Sequence, residues 1–187
     1  MSKVINIGFD TKSIRQAIKE IENIRRKFSN IIPQAYLSKC ADYVISRANE
    51  YLSNYNIDGE ITADIQTHWS KEMPTSNTIK VVNDSDKAVF IEFGVGRVGS
   101  ISSHPNANET GYQYNLPSSA KSTSGSWAFD VRDKNGIDLV KGYYKHRGNS
   151  VITSGSPANM YLYNATLDLI SSGAYRTLWL QTLDENL

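Results

Sequence analysis

The sequence predicts an α+β fold, with an antiparallel sheet packed with N-terminal helices and a long C-terminal helix. Two observations carry this expectation: apolar residues recur at helical spacing near both ends of the chain, and they alternate along short segments in the middle. At 187 residues, the chain suits a single domain over residues 1–187, with enough apolar side chains for a core without disulfides.

The composition is ordinary and excludes several classes of protein. A formal net charge of +1, with 21% charged residues, gives no electrostatic reason to expect nucleic acid or an anionic membrane as the main partner. The single cysteine, Cys40, excludes an internal disulfide framework and fits synthesis inside a cell. No stretch reaches the ~18 apolar residues that span a bilayer, and the N-terminus has no signal-peptide core, so no membrane partner is expected.

The N-terminal region predicts one strand and then helices. Residues 4–9 are β-branched and alternate loosely, which indicates a short strand. Asp10 or Thr11 can cap the helix that follows, whose apolar face is Ile14, Ala17, Ile18, Ile21, Ile24 and Phe28. Pro33 marks the first turn of a second helix. The two helices form either a hairpin or one long helix kinked at Pro33.

The middle of the chain predicts strands and one short helix. Alternating apolar residues predict a half-buried strand from Ile61 toward Trp69, and a second strand covers residues 78–82 after a turn at 74–77. Residues 88–93 are interpreted as one or two helical turns ended by Gly94, because glycine supplies left-handed C-terminal caps.

A long central loop is predicted to protrude over residues 97–126, which are rich in Ser, Asn, Gly and Pro. Tyr112, Tyr114 and Leu116 alternate within it and can dock on a neighbouring subunit. The loop is therefore predicted to be mobile in the free subunit and ordered in an assembly.

The C-terminal third predicts a hairpin followed by a helix. Residues 127–132 and 137–144 are paired strands around an Asn-Gly turn, and a glycine-serine patch covers residues 148–155. Ser156 and Pro157 are expected to cap and begin the last helix, which Gly173 weakens before it resumes. This helix is predicted to present more apolar surface than a small sheet covers.

Candidate chemistry is sparse. Residues 94–99 match the G-x-G-x-x-G fingerprint, but the βαβ context that a dinucleotide site requires is missing. Glu92 lies in an apolar run and needs a hydrogen-bonded partner, such as Arg97, or a raised pKa. A structural pairing is favoured over catalysis. His68, His104 and His146 lack metal-ligand spacing, so no catalytic residue, cofactor or metal is predicted.

Three blocks resemble one known family. They are the segment 56–65 (NIDGEITADI), the segment 88–96 (AVFIEFGVG), which continues through His104-Pro105-Asn106 to Trp127, and the segment 153–165 (TSGSPANMYLYNA). Together they are similar to the HK97 gp10-like family of phage head–tail joining proteins, also called tail-completion or neck proteins. The resemblance covers residues 88–170 most closely.

The resemblance implies a small α+β protein with no catalytic residues and no cofactor. It implies a structural subunit of the virion neck, synthesised in the host cytoplasm, which assembles as a ring, expected to be a hexamer. The implied partners are further copies of the chain, the capsid connector or adaptor, and tail proteins, with DNA passing through the ring without sequence-specific contacts. A tail-tube terminator is the nearest alternative, and a small nucleotide-binding enzyme that uses residues 94–99 is the alternative from another class.

Six residues are the candidates for contacts in such an assembly, chosen as aromatic anchors or as charged groups beside the glycine-rich segment. They are Glu92, Arg97, Tyr112, Tyr114, Tyr161 and Trp179.

Overall fold

The computed structural model describes residues 10–55, 57, 59–114, 127–130, 144–147, 150–153 and 155–187. The predicted strand at 4–9 lies outside these residues, as do 115–126 of the predicted loop and most of the return strand at 137–144. The chain divides into two compact units. Unit 1 comprises Met1–Val44, Lys71–Val81 and Leu167–Leu187, and unit 2 comprises Ile45–Ser70 and Val82–Thr166. The mixture of helices and strands is the predicted α+β class.

The N-terminal region is one long helical run. It consists of α1 (Thr11–Arg26), a π-helical turn (Lys27–Ile31) and α2 (Ile32–Asn54). The Asp10 carboxylate caps α1 by accepting hydrogen bonds from the backbone N–H groups of Lys12 and Ser13, as the sequence predicts. Of the two predicted arrangements, the continuous helix is correct. Because Pro33 has no N–H to donate, the helix widens just before it, and Ile32 N–H bonds to the carbonyl of Lys27, five residues back.

Unit 1 packs the first half of α2 against the C-terminal helix. Ile32 and Thr182 are fully buried, and the Tyr36 and Trp179 rings meet edge to face with centroids 5.2 Å apart. Lys27 Nζ donates to the carbonyl of Asn186 at 2.6 Å, which binds the last helical turn to the π-helical turn. The other buried apolar residues of this unit are Ala17, Cys40, Ala41 and Val44 among those the structure describes.

The first predicted strand of the central region is a helix instead. α3 spans Gly59–Thr67, with Ile61 and Ile65 buried and Ala63 exposed. Isoleucines four residues apart share one helical face, so the spacing that suggested alternation also fits a helix. Trp69 then begins β1 (Trp69–Thr75), which forms a two-stranded antiparallel sheet with β2 (Thr78–Asn83). The second strand is as predicted, but the turn covers only residues 76–77, because Pro74 and Thr75 belong to β1.

The glycine-rich segment and the loop after it contain helices. α4 (Ala88–Phe93) ends at Gly94 as predicted, and α5 (Gly96–Ile101) and α6 (Ala107–Thr110) follow. The long loop prediction is therefore wrong for this part of residues 97–126. Gly96 and Gly99 are buried in α5, so these glycines permit a closely packed helical turn.

A three-stranded antiparallel sheet lies in unit 2, with the order β3 (Trp127–Asp130), β5 (Ser150–Thr153), β4 (Tyr144–Arg147). The predicted glycine-serine patch thus contributes the central strand, because β5 has neighbours on both sides. A short segment, β6 (Gly155–Ser156), then pairs with Val95 and Gly96.

The C-terminal helix begins four residues later than predicted and consists of two parts. α7 spans Tyr161–Ser171 and α8 spans Ala174–Asn186, with Gly173 in a left-handed conformation between them. The interruption at Gly173 and the resumption after it are confirmed. The predicted start at Pro157 is wrong, because the backbone N–H groups of Asn159 and Met160 bond to α4 carbonyls instead of starting a helix.

Candidate functional site

The Glu92 carboxylate lies in the interior of unit 2 and binds the first turn of α7. Its Oε2 accepts a hydrogen bond from Leu162 N–H at 2.9 Å, and its Oε1 accepts one from Tyr163 N–H at 2.9 Å. Only 6% of Glu92 is exposed. A carboxylate at a helix N-terminus satisfies N–H groups that have no partner within the helix and interacts favourably with the helix dipole.

His104 supplies the remaining contact to this carboxylate. Its Nε2 lies 2.9 Å from Glu92 Oε1, and its Nδ1 accepts a hydrogen bond from Asn106 N–H at 3.0 Å. Because Nδ1 accepts a hydrogen bond, the ring proton of the neutral imidazole is on Nε2, and Nε2 donates a hydrogen bond to Glu92. We call Glu92, His104 and the backbone N–H groups of Leu162 and Tyr163 the Glu92 cluster.

Aromatic rings enclose the cluster. The Phe93 ring packs against the His104 ring with centroids 4.3 Å apart, and it stacks on the Tyr112 ring with centroids 4.7 Å apart. The Tyr163 ring meets the His104 ring edge to face, with centroids 5.2 Å apart. Tyr161, the first residue of α7, is buried, and burial together with the nearby Glu92 carboxylate raises the pKa of its phenol. The Tyr161 phenol therefore stays protonated at neutral pH.

Backbone hydrogen bonds join the same two elements. Asn159 N–H donates to the carbonyl of Ile91 at 2.9 Å, and Met160 N–H donates to the carbonyl of Glu92 at 3.1 Å. The last carbonyls of α4, which have no partner within a helix, are thereby satisfied by the chain that enters α7. Glu92 thus joins α4 to α7 through both its main chain and its side chain.

The glycine-rich segment approaches the chain before α7 too closely for any side chain. Gly94 has φ +79° and ψ 175°, a conformation almost restricted to glycine. A Cβ there would lie 2.6 Å from the backbone nitrogen of Ala158, and one on Gly99 would lie 3.1 Å from the carbonyl oxygen of Ser156. The chain's own backbone therefore occupies the space beside two of the three fingerprint glycines, where a dinucleotide would need room.

The structure places the predicted contact residues in different environments. Glu92 and Tyr161 are buried within the chain and contribute no contact surface. Arg97 is exposed on α5, and the partner of Glu92 is His104 rather than Arg97. Trp179 is partly buried against Tyr36 in unit 1. The structural pairing expected for Glu92 is present, but with a different residue.

Tyr112 and Tyr114, which the sequence predicts to dock on a neighbour, bind the chain itself. Tyr112 hydroxyl donates to the carbonyl of Gly94 at 2.7 Å, and Tyr114 hydroxyl accepts from the N–H of His104 at 2.8 Å. Phenol groups reach far enough to satisfy backbone groups that the short helices leave unbonded. Both side chains retain partial exposure, but their hydroxyls are used internally.

His104 is the residue of this site that sequence reasoning did not single out. The sequence contained one usable signal: a histidine followed by Pro105 and Asn106, a sequence suited to a tight turn. That turn brings Asn106 N–H back to the ring and fixes the imidazole orientation. Glu92 and His104 are twelve positions apart in the sequence, and this separation concealed the pairing.

The hydrogen bonds of the Glu92 cluster determine whether its nitrogen and oxygen atoms can exchange a proton with a substrate. Both oxygens of Glu92 accept backbone hydrogen bonds, and both ring nitrogens of His104 are engaged. A general base needs a nitrogen or oxygen within reach of a substrate proton. The described contacts of the Glu92–His104 pair are all within the chain, and they are those of a structural junction.

No cluster of three or more potential metal ligands occurs among the described residues. No helix in the described part of the chain combines the length and hydropathy needed to cross a bilayer. Compared with protein-family models, curated proteins and solved structures, the chain matches none of them.

Proposed function

We propose that this chain is a structural subunit of a phage neck, which assembles as a ring that joins the capsid connector to the tail. The observation that carries the proposal is that two of the three segments resembling the family contact each other in the folded chain. Segment 88–96 supplies Glu92 and Gly94, and segment 153–165 supplies the amides and the backbone that contact them. The two blocks build one interior junction, which is a physical reason for them to occur together in a sequence.

An exposed helix face supports assembly as the role. Ile14, Ile18 and Ile21 share one face of α1 and are exposed by 43%, 50% and 52%. An amphipathic helix whose apolar face lies at the surface is typical of a protein that binds another protein there. In the proposed ring, that partner is a neighbouring virion protein.

Gene deletion tests the proposal. Phage lacking this gene should accumulate filled capsids and separate tails, and purified protein added to the lysate should restore joined particles. Electron microscopy of the particles provides the count. Joined virions in normal yield without the protein would exclude the neck function.

Purified protein added to lysates that lack either tails or capsids distinguishes the two positions in the neck. If the subunit belongs to the connector, it should sediment with filled capsids when tails are absent. If it is a tail-tube terminator, it should sediment with tails when capsids are absent. The nucleotide-binding alternative has its own test, since saturable micromolar binding of a nucleotide by the purified protein would revive it.

A further inference from the structure

We infer that the basic side of α1 binds the phosphate backbone of a nucleic acid. This side of the helix carries Lys12, Arg15, Lys19 and Arg26. It differs from the side that carries the exposed isoleucines, which we call the α1 face. The inference goes beyond the neck function and does not depend on it, because it rests only on the side chains of this helix.

The four cations form one row along the helix. At about 100° per residue, Lys12, Lys19 and Arg26 follow one another with a drift of about 20° at each step, and Arg15 lies about 40° from Lys19. The row therefore occupies an arc of about 60°, and it extends over about 21 Å from Lys12 to Arg26. All four residues are exposed. A row of this length reaches several charges of an extended anion.

The charge of this row is not neutralised within the described part of the chain. No ion pair joins Lys12, Arg15 or Lys19 to a carboxylate among the described residues. The two acidic side chains of the helix, Glu20 and Glu22, lie about 100° and about 60° around α1 from Lys19, on either side of the row. The row thus concentrates positive charge at one place, although the whole chain has a formal net charge of only +1.

A groove of about 490 Å³ runs along the same side of the helix. Its described lining residues are Thr11, Lys12, Arg15, Gln16 and Lys19. Each of these side chains carries a hydroxyl, amide, guanidinium or ammonium group that can donate a hydrogen bond. The backbone N–H groups at the start of α1 are not available to a ligand in the same way, because Asp10 already accepts from two of them. A concave surface of side-chain donors and cations fits a ligand that consists of anionic acceptors.

The lining favours a nucleic acid over an acidic protein. None of the described lining residues is apolar, whereas the centre of a protein–protein interface is apolar and depleted of charged side chains. Interfaces with nucleic acids are more polar and much more positively charged. Each strand of duplex DNA also carries a phosphate about every 3.4 Å along the helix axis, so the row of cations can contact several phosphates of one duplex. Such contacts carry no sequence information.

Salt-dependent binding of DNA by the purified full-length chain tests the inference. A short labelled duplex is titrated with protein between about 50 and 200 mM NaCl, and fluorescence anisotropy gives the association constant at each salt concentration. Three to four phosphate contacts predict a slope of about −3 for the logarithm of the association constant against the logarithm of the salt concentration. A duplex of scrambled sequence should bind equally well.

Matched variants identify the row as the contact. Lys19→Gln should change the slope to about −2, because one phosphate contact is lost. Arg25→Gln is the control: it removes one positive charge from an exposed residue of the same helix, about 120° around α1 from Lys19, and should keep the wild-type slope. Glutamine is a good helix former, so both variants should retain α1.

Three outcomes would overturn the inference. The absence of binding at the lowest salt concentration would exclude a phosphate contact at this surface. Equal changes of slope in Lys19→Gln and Arg25→Gln would assign the binding to the total charge of the chain. Tighter binding of poly-glutamate than of DNA would assign the basic side to an acidic protein instead.

DNA binding by the purified protein and joining in the lysate are separate measurements. Binding with the expected slope, in a chain whose deletion leaves virions normal, would keep this inference and remove the neck function. Restored joining by a chain that binds no DNA would overturn this inference and leave the neck function intact.

Discussion

In one region of the molecule a carboxylate lies in the interior, and in another region isoleucines lie at the surface. Glu92 is 6% exposed, whereas Ile18 is 50% exposed. Each of these positions is unfavourable for the side chain alone, because burying a charge and exposing hydrocarbon both cost free energy. The difference lies in where the compensating contacts are found. Glu92 has its contacts within the chain, whereas the isoleucines of α1 require a partner.

The comparison separates folding from assembly. The Glu92 cluster joins α4 to α7 with charge-assisted hydrogen bonds in a site of low exposure, which makes it a determinant of stability. The α1 face contributes little to the folded subunit, because its side chains retain about half of their exposure. Substitutions in the two regions should therefore affect different measurements.

The largest effect on stability is expected from Glu92→Ala. It leaves the Leu162 and Tyr163 amides and the His104 ring without an acceptor, in a space from which the protein largely excludes water. We expect a loss of about 3–5 kcal/mol in the free energy of unfolding, measured by urea denaturation. Glu92→Gln keeps the shape and one acceptor but turns an amide N–H₂ toward donors, so it should lose less, about 1–3 kcal/mol.

Unchanged stability in Glu92→Ala would contradict the assignment of Glu92 as the junction between α4 and α7. An enzymatic turnover that is lost in Glu92→Gln while the fold is retained would give this carboxylate a catalytic role instead.

A similar loss is expected from Gly94→Ala. The added Cβ would lie 2.6 Å from the backbone nitrogen of Ala158, and the φ and ψ of Gly94 are strained for any other residue. We expect about 3 kcal/mol or more of destabilisation, measured by thermal and urea unfolding. Gly111→Ala is the matched control: it shares a positive φ of 69° but has open space around it, so it should cost only about 1 kcal/mol. Equal losses in the two variants would show that backbone strain, and not the close approach to residues 156–158, governs the glycine-rich segment.

A smaller, pH-dependent effect is expected at Asp64. The Ser85 hydroxyl, which donates to Oδ2, and the Lys87 ammonium lower the pKa of this carboxyl below its usual 3.8. A lowered pKa in the folded state adds stability above pH 3.8, and this contribution is lost as the pH falls through the folded value. Asp64→Asn should therefore be less stable than wild type at neutral pH, and the two should converge in acid. Asp84→Asn, which also removes a charge from an exposed side chain, should follow wild type at every pH, and a parallel loss in both variants would point to net charge instead.

Local signals in the sequence were sufficient for elements that depend on local bonds. Asp10 caps α1 through N–H groups two and three residues away, and Gly94 ends α4 through its own backbone freedom. The turn between β1 and β2 is equally local. For these elements the interacting groups are neighbours in the chain, so sequence pattern and structure agree.

The incorrect predictions concern segments whose pattern fits two structures or whose partners are distant in the sequence. The spacing of Ile61 and Ile65 fits a strand and a helix equally well, and packing selected the helix. Ser156 and Pro157 form a sound helix start by local rules, but the amides that follow bond to Ile91 and Glu92. Tertiary hydrogen bonds outweighed the local preference in that case. The pairing of Glu92 with His104 likewise depends on the fold that surrounds both residues.

Restoration of joining by purified variants tests the central claim most directly, that the interior cluster serves folding and the α1 face serves assembly. In a lysate that lacks the protein, Ile18→Asp should unfold at nearly the same urea concentration as wild type yet yield few joined particles, because it places a charge on the apolar face of α1. Gln16→Asp, on the opposite face, should restore joining as wild type does. Full restoration by folded Ile18→Asp would contradict the account, because the exposed face would then have no part in assembly.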